Sequence, residues 1–223
     1  MTDQTGDHAK AKKSARKKLG PREGTATRRR EILEAAMKVF ATKGFHAGTL
    51  NDVAELVGMT HAGVLHHFGS KGNLLQAVIG YRDSADSSQA HAAYGMSFFR
   101  HLIDTAKLNS TRPGIVQTYV VLSAEAVTEG NPGTEYFLGR FDGLRELVVS
   151  QLREISPAEN GLEPAELEAA ASNIIALMDG LQVQWLLNPD SVDLVDATVF
   201  GIEAIVNTVM AGSTRPAPLR ATP

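Results

Sequence analysis

A chain of 223 residues with 43% hydrophobic residues can bury a substantial core, and a net charge of −3 is far from that of a uniformly basic or acidic protein. With no cysteine, disulfide frameworks, thiolate nucleophiles and thiolate zinc sites are excluded together. The charge is unevenly divided: residues 1–30 carry ten Lys/Arg against three acids, and the remainder 12 Lys/Arg against 22 acids.

A basic head joined to an acidic body points to a polyanionic partner at the amino end. Residues 1–24 have no apolar periodicity, and equally fit a solvated, flexible tail. No unbroken apolar run reaches the roughly 18 residues of a membrane span, and charges stand where a leader would place its apolar segment. The expectation is a cytoplasmic protein without membrane contact.

Order is expected from about Thr25. Ile32, Leu33, Ala36, Val39 and Phe40 recur at the spacing of an amphipathic helix, which Gly44 stops. In "TLNDVAELVG", Thr49 and Asp52 have capping-box spacing, with Val53, Leu56 and Val57 as the expected buried face and Gly58 as the end. Thr60 is the next cap, so a third short helix over 61–67 follows almost at once, and Ser70 caps a fourth running to about Asp86. Beyond it, helical periods over 91–109, 113–129, 134–155, 164–187 and 192–211 are broken by "NSTRPG", "EGNPG", "ISPAENGLEP" and "NPDS". No alternating strand pattern occurs, so the expected class is all-α. The final "GSTRPAPLRATP", residues 213–223, reads as a flexible tail.

Two short capped helices joined by Gly58 and Met59, behind an apolar first helix, make a helix-turn-helix. Ala62 leaves room for close packing, Val64 and Phe68 point inward, and His61, Gly63, Leu65, His66 and His67 fall largely on other faces. Such a helix fits the major groove, with its first residues at base edges. The histidines suit other chemistry poorly. His61 and His66 are five apart, not the three or four that align two metal ligands on a helix face, and no local acid or serine completes a catalytic set. One of His66 and His67 can instead pack against the supporting helix. Imidazoles near phosphates gain charge as pH falls through about 6.5, so DNA affinity is expected to rise on acidification.

Arg30 to Ile79, "REILEAAMKVFATKGFHAGTLNDVAELVGMTHAGVLHHFGSKGNLLQAVI", resembles the DNA-binding domain of the tetracycline-repressor (TetR) family of bacterial transcriptional regulators. "KGF", "TLNDVAELVG" and "HHFGSKGNLL" carry the likeness, and "LMDGLQVQWLLNPD" is similar to a helix in one branch of the family's ligand domains. The resemblance implies a three-helix helix-turn-helix domain over 25–72 and a helical ligand-binding and dimerisation domain over 73–212. It places Thr49, Asn51, Thr60, His61 and Gly63 at the operator and His66, His67 and Lys71 near phosphates, with Arg28, Arg29 and Arg30 extending the basic edge. Leu65 departs from the pattern where many members carry a tyrosine, and offers only an apolar surface.

Phe98, Phe99, Tyr119, Tyr136, Phe137, Gln182 and Trp185 are expected either to line a mainly apolar effector pocket or to be ordinary core. Asp179, acidic within an apolar helix, either pairs structurally or binds a ligand's polar group. The last two helices are apolar over more than one face. Leu177, Leu181, Val195, Val199, Ile202 and Val206 therefore either complete an internal core or meet a second copy of the chain in a homodimer. The resulting expectation is a repressor with no cofactor or metal, released from a palindromic double-stranded DNA operator by a small apolar molecule. Its rivals are an activator, a helical enzyme or storage protein, and a non-specific architectural DNA binder.

Overall fold

A computed structural model describes residues 21–90, 93–159 and 161–212. Among these every regular element is helical: α1 (Pro21–Ala47), α2 (Leu50–Leu56), α3 (His61–Phe68), α4 (Lys71–Ala90), α5 (Met96–Ser110), α6 (Pro113–Glu125), α7 (Thr134–Ile155), α8 (Pro164–Leu187) and α9 (Leu194–Ala211). Residues 1–20 and 213–223, where most of the two tails was expected, lie outside the described residues.

α1 starts at Pro21, four residues before the expected onset at Thr25, since proline suits the first helical turn. Its backbone breaks at Gly44 (φ 72°, ψ 177°), as the stop signal required. α5 begins at Met96 rather than near 91 because Gly95, at φ 56°, breaks the helix, while its N–H donates to Gln151 Oε1 at 2.7 Å. α6 ends at Glu125 rather than 129, where a turn through Gly130 (φ 74°) takes over and the Thr134 hydroxyl donates to Ala126 O.

Two hydrophobic clusters divide the molecule. The first joins Ile32, Phe40, Val53, Val64, Phe68, Leu74 and Val78 of the amino-terminal helices to Tyr119 and Leu122 of α6 and Phe137 of α7. The second joins Phe98 and Phe99 of α5 to Leu152, Ile174, Ile202 and Val206. The expected domain boundary between 72 and 73 therefore falls inside α4, whose Leu74, Leu75 and Val78 are fully buried in the first cluster. Each such side chain withdrawn from water contributes roughly 1.5–3 kcal/mol.

Other expectations are corrected. Leu56 is 59% exposed, because the buried stripe of α2 runs through Leu50, Val53 and Ala54, with Val57 partly covered. Ala62 is exposed, and close packing at this point comes instead from Met59 against Gly63. Ile202 and Val206 are 1% and 3% exposed inside the protomer, so they form core and no outer face. Leu177 packs against Gly201, where a Cβ would collide with it, and so joins α8 to α9 within one chain. Leu181, Val195 and Val199 are half-buried. The apolar groups left on the surface of these helices are Val183, Leu187, Phe200 and Met210.

α9 is 18 residues long with mean hydropathy 1.5, enough by length and composition to cross a membrane. The expectation from unbroken apolar runs missed it because Asp196 and Glu203 interrupt the run without lowering the average far. Thr198, Ile202, Val206 and Val209 bury one side of it in the core.

Candidate functional site

The helix-turn-helix is set by local hydrogen bonds. Thr49 Oγ1 accepts from the Asp52 N–H at 3.1 Å, while Asp52 Oδ2 accepts from both the Thr49 N–H and hydroxyl at 2.8 Å. Lys43 donates to the other carboxylate oxygen at 2.8 Å. This Lys43 bond and the Thr49 donors lower the Asp52 pKa to about 2. Gly58 turns the chain at φ 63°, and Thr60 Oγ1 accepts from the Gly63 N–H at 3.1 Å to start α3. Val64 and Phe68 hold α3 down with 0% and 6% exposure, and Gly69 (φ 77°) ends it.

At the exposed amino end of α3, His61 Nδ1 and Asn51 Oδ1 are 2.8 Å apart. An amide oxygen only accepts, so Nδ1 carries the proton. The neutral pair presents Asn51 Nδ2 as a donor and His61 Nε2 as an acceptor, and protonation turns Nε2 into a donor. Two exposed residues ten apart in sequence are therefore joined by a hydrogen bond.

The remaining residues of the expected interface are arranged differently from one another. His66 is exposed, whereas His67 and Leu65 are partly covered. Burial first, then the charges of His66, Arg29 and Arg28, push the His67 pKa below its usual value. Of the adjacent histidines, His67 is thus the one packed against the support. Arg29 clamps the end of α3: it donates to His67 O at 2.8 Å and lies over the Phe68 ring, 4.1 Å from its centroid. Arg28 and Arg30 pair with Glu31 and Glu34 on their own helix at 2.6 and 3.8 Å. Lys71 donates to His46 O at 3.1 Å and lies 4.5 Å from the Phe45 centroid. Burial lowers its pKa, against the opposing charges of Glu125 and Asp52.

A junction that sequence reasoning missed links this head to the rest. Past the break at Gly44, the Phe45 N–H donates to the Glu125 carboxylate at the end of α6. Glycine suits this position by its φ, and a Cβ here would have to displace that carboxylate. Gln117 Nε2 donates to Ala41 O at 3.1 Å, and Thr118 Oγ1 lies 3.3 Å from Met37 O. His46 Nε2 lies 3.3 Å from Thr128 Oγ1. These contacts join residues 76 to 82 apart, a separation for which helical periodicity gives no signal.

The expected pocket aromatics are not gathered in one place. Phe98 and Phe99 form a T-shaped pair, centroids 5.4 Å apart, buried in the second cluster and away from the other aromatics. Trp185 is half-buried near the end of α8. Tyr119 and Phe137, with Val78, Ile79, Thr118 and Leu122, surround a narrow apolar cleft between α4, α6 and α7 with a volume of only about 10 Å³, roughly the room of one water molecule. Tyr136 stacks edge-on against Phe137 at 5.4 Å. The Tyr119 hydroxyl donates to Asp179 Oδ2 at 3.3 Å, and the Arg140 guanidinium lies 5.3 Å from the Tyr119 centroid. Among the described residues no group of three or more His, Asp or Glu could hold a metal ion.

Residues 32–78 match the family model for bacterial regulatory proteins of the tetR family, and residues 111–205 match that for the carboxy-terminal region of BetI-type transcriptional repressors. The chain is 31% identical over 181 residues to the HTH-type transcriptional regulator TtgR of Pseudomonas putida, covering 74% of this chain and 83% of that protein. Its fold is similar to SmeT of Stenotrophomonas maltophilia in complex with triclosan, at 19% identity, 87% and 100% coverage and a TM-score of 0.68. It is also similar to NalD, the secondary repressor of the MexAB-OprM multidrug efflux pump of Pseudomonas aeruginosa, at 19% identity, 82% and 96% coverage and a TM-score of 0.63.

Proposed function

Because this chain belongs to the TetR family, whose members are transcriptional regulators and not enzymes, we propose that it is a cytoplasmic, homodimeric repressor. A small, mainly apolar effector releases it from a near-palindromic operator. The observation that carries the DNA-reading part is the exposed Asn51–His61 pair at the amino end of a helix whose opposite side is fully buried. Bases are read by Asn51, His61 and the Leu65 surface, with Gly63 admitting close approach. Thr49, Thr60, His66 and His67 lie along the groove, and Arg28 and Arg30 add charge toward the phosphates. Arg29 and Lys71 serve chiefly to hold the head in shape.

A second copy docks on the exposed side of α8 and α9, where Val183, Leu187, Phe200 and Met210 would otherwise face water. Two recognition helices then lie about one DNA turn, ~34 Å, apart. SmeT's complex with triclosan lends support to an effector of that kind. The cleft, about 10 Å³, is closed to any ligand as it stands, so occupancy requires it to open. Its walls include Val78 and Ile79 of α4, which begins at the Lys71 clamp, and α6, which ends at the Glu125 contact to Phe45. Widening shifts the head relative to its partner and weakens operator binding by the effector's differential affinity for the two arrangements.

The test is a competition gel shift between DNA upstream of the protein's own gene and random DNA at two salt concentrations. Selective retention is the expected result. Absence of DNA binding even at low salt would overturn the reading.

A further inference from the structure

The amino end of α3 has few polar atoms that are not already in use. Thr49 Oγ1 accepts from the Asp52 N–H and donates to Asp52 Oδ2, and Thr60 Oγ1 accepts from the Gly63 N–H. Gly63 has no side chain, and Leu65 has only an apolar one. Asn51 and His61 remain, both exposed, and their mutual bond at 2.8 Å is the only hydrogen bond either side chain makes among the described residues. That bond fixes the sign of the outermost ring atom. With Asn51 Oδ1 holding the proton on Nδ1, the neutral imidazole keeps a bare lone pair on Nε2, the ring nitrogen farther from the backbone. In the major groove the donors are the exocyclic amino groups, N6 of adenine and N4 of cytosine, whereas guanine O6 and thymine O4 at the equivalent place are acceptors.

We propose that His61 reads amino bases against keto bases. At its position in each half-site the contacted strand carries adenine or cytosine; guanine and thymine are rejected because their oxygen would face the Nε2 lone pair. Asn51 is here a positioning residue: it turns an imidazole, which can present either a donor or an acceptor, into one that presents only an acceptor. The proposal rests on the reading of α3 as the operator-reading helix.

The test selects bound duplexes from a randomised pool with the full-length protein at about pH 8, where an ordinary imidazole is neutral. The expected motif has one column per half-site restricted to adenine and cytosine, which His61→Ala opens to all four bases while the other columns stay. Asn51→Ala keeps the imidazole but releases its tautomer, and should admit guanine and thymine in that same column. On the selected operator, the base in this column is then replaced by its analogue lacking the amino group, purine for adenine or 2-pyrimidinone for cytosine. The wild-type protein should bind about ten-fold more weakly, the lower part of the range for one base contact, and His61→Ala should change by less than about two-fold. The analogue measurement on the wild-type protein stands even where a substitution disturbs α3. A responding column restricted to guanine or thymine, a motif in which no column responds to His61→Ala, or an analogue bound as tightly as the natural base overturns the proposal and leaves the operator reading standing. No enriched motif at all overturns the operator reading itself, and this proposal with it.

Discussion

At the residue scale, the hydrogen bond between Asn51 and His61 makes their contributions to DNA binding interdependent. Asn51→Ala and His61→Ala should each weaken operator binding by about 1–3 kcal/mol, the range for one base contact, with little change in the salt slope. The double variant should lose less than the sum, as measured by a gel-shift cycle. His67 adds a pH dependence. Its folded-state pKa lies below 6.5, so the unfolded chain takes up the proton first and stability falls as pH drops below that value. Its gain of charge for phosphate contact also lies at lower pH than for an ordinary imidazole. Operator affinity should therefore rise mainly below pH 6.5, and His67→Gln should flatten that rise. Asp52 behaves differently: with its pKa at about 2, its stabilising effect is present above the usual aspartate range near pH 4 and is lost as pH falls through about 2. The capping box should survive to pH 3, as read by circular dichroism of the protein and its Asp52→Asn variant.

Among the elements, α3 is held from its carboxy-terminal side. Arg29 meets the last carbonyls of the helix with charge of the favourable sign and covers the Phe68 ring. Arg29→Ala should lower the melting temperature and weaken all DNA sequences together. Arg30→Ala, whose partner Glu34 is on the same helix, should reduce affinity through charge alone, with stability unchanged. α6 acts on the head through Glu125. Glu125→Ala leaves the Phe45 N–H without its acceptor and the Lys71 ammonium with Asp52 as its remaining opposing charge. The expected outcome is a loss of about 1–3 kcal/mol in stability and a smaller effector-induced drop in operator affinity, measured by denaturation and by gel shift with and without effector.

For the molecule as a whole, α9 carries both a buried and an exposed apolar side, so folding and the proposed pairing can be tested apart. Phe200 is 78% exposed and Ile202, two residues on, is 1% exposed. Phe200→Glu should give a folded monomer by sedimentation, with operator affinity lost because the paired half-sites are no longer spanned. Ile202→Ala should instead destabilise each protomer by about 2–5 kcal/mol. Removing residues 1–20, with Lys10, Lys12, Lys13, Arg16, Lys17 and Lys18, should lower affinity for operator and random DNA alike and reduce the salt slope.

The sequence by itself determined the helical class, the capped helix-turn-helix and its family, because these rest on local rules: an apolar period, Thr49 with Asp52, Thr60 with Gly63, and glycines at positive φ. It also brought out Asp179 and Gln182 as polar groups within an apolar helix. Only the tertiary structure decided which apolar residues face inward, assigning Ile202 and Val206 to core and Phe200 to the surface, since a helix apolar over much of its circumference has no single inward side. Only it divided the aromatics between two clusters and brought Glu125 to Phe45. The last is a pairing across 80 residues, chosen like the clusters by how whole helices pack, and no spacing within one helix encodes it.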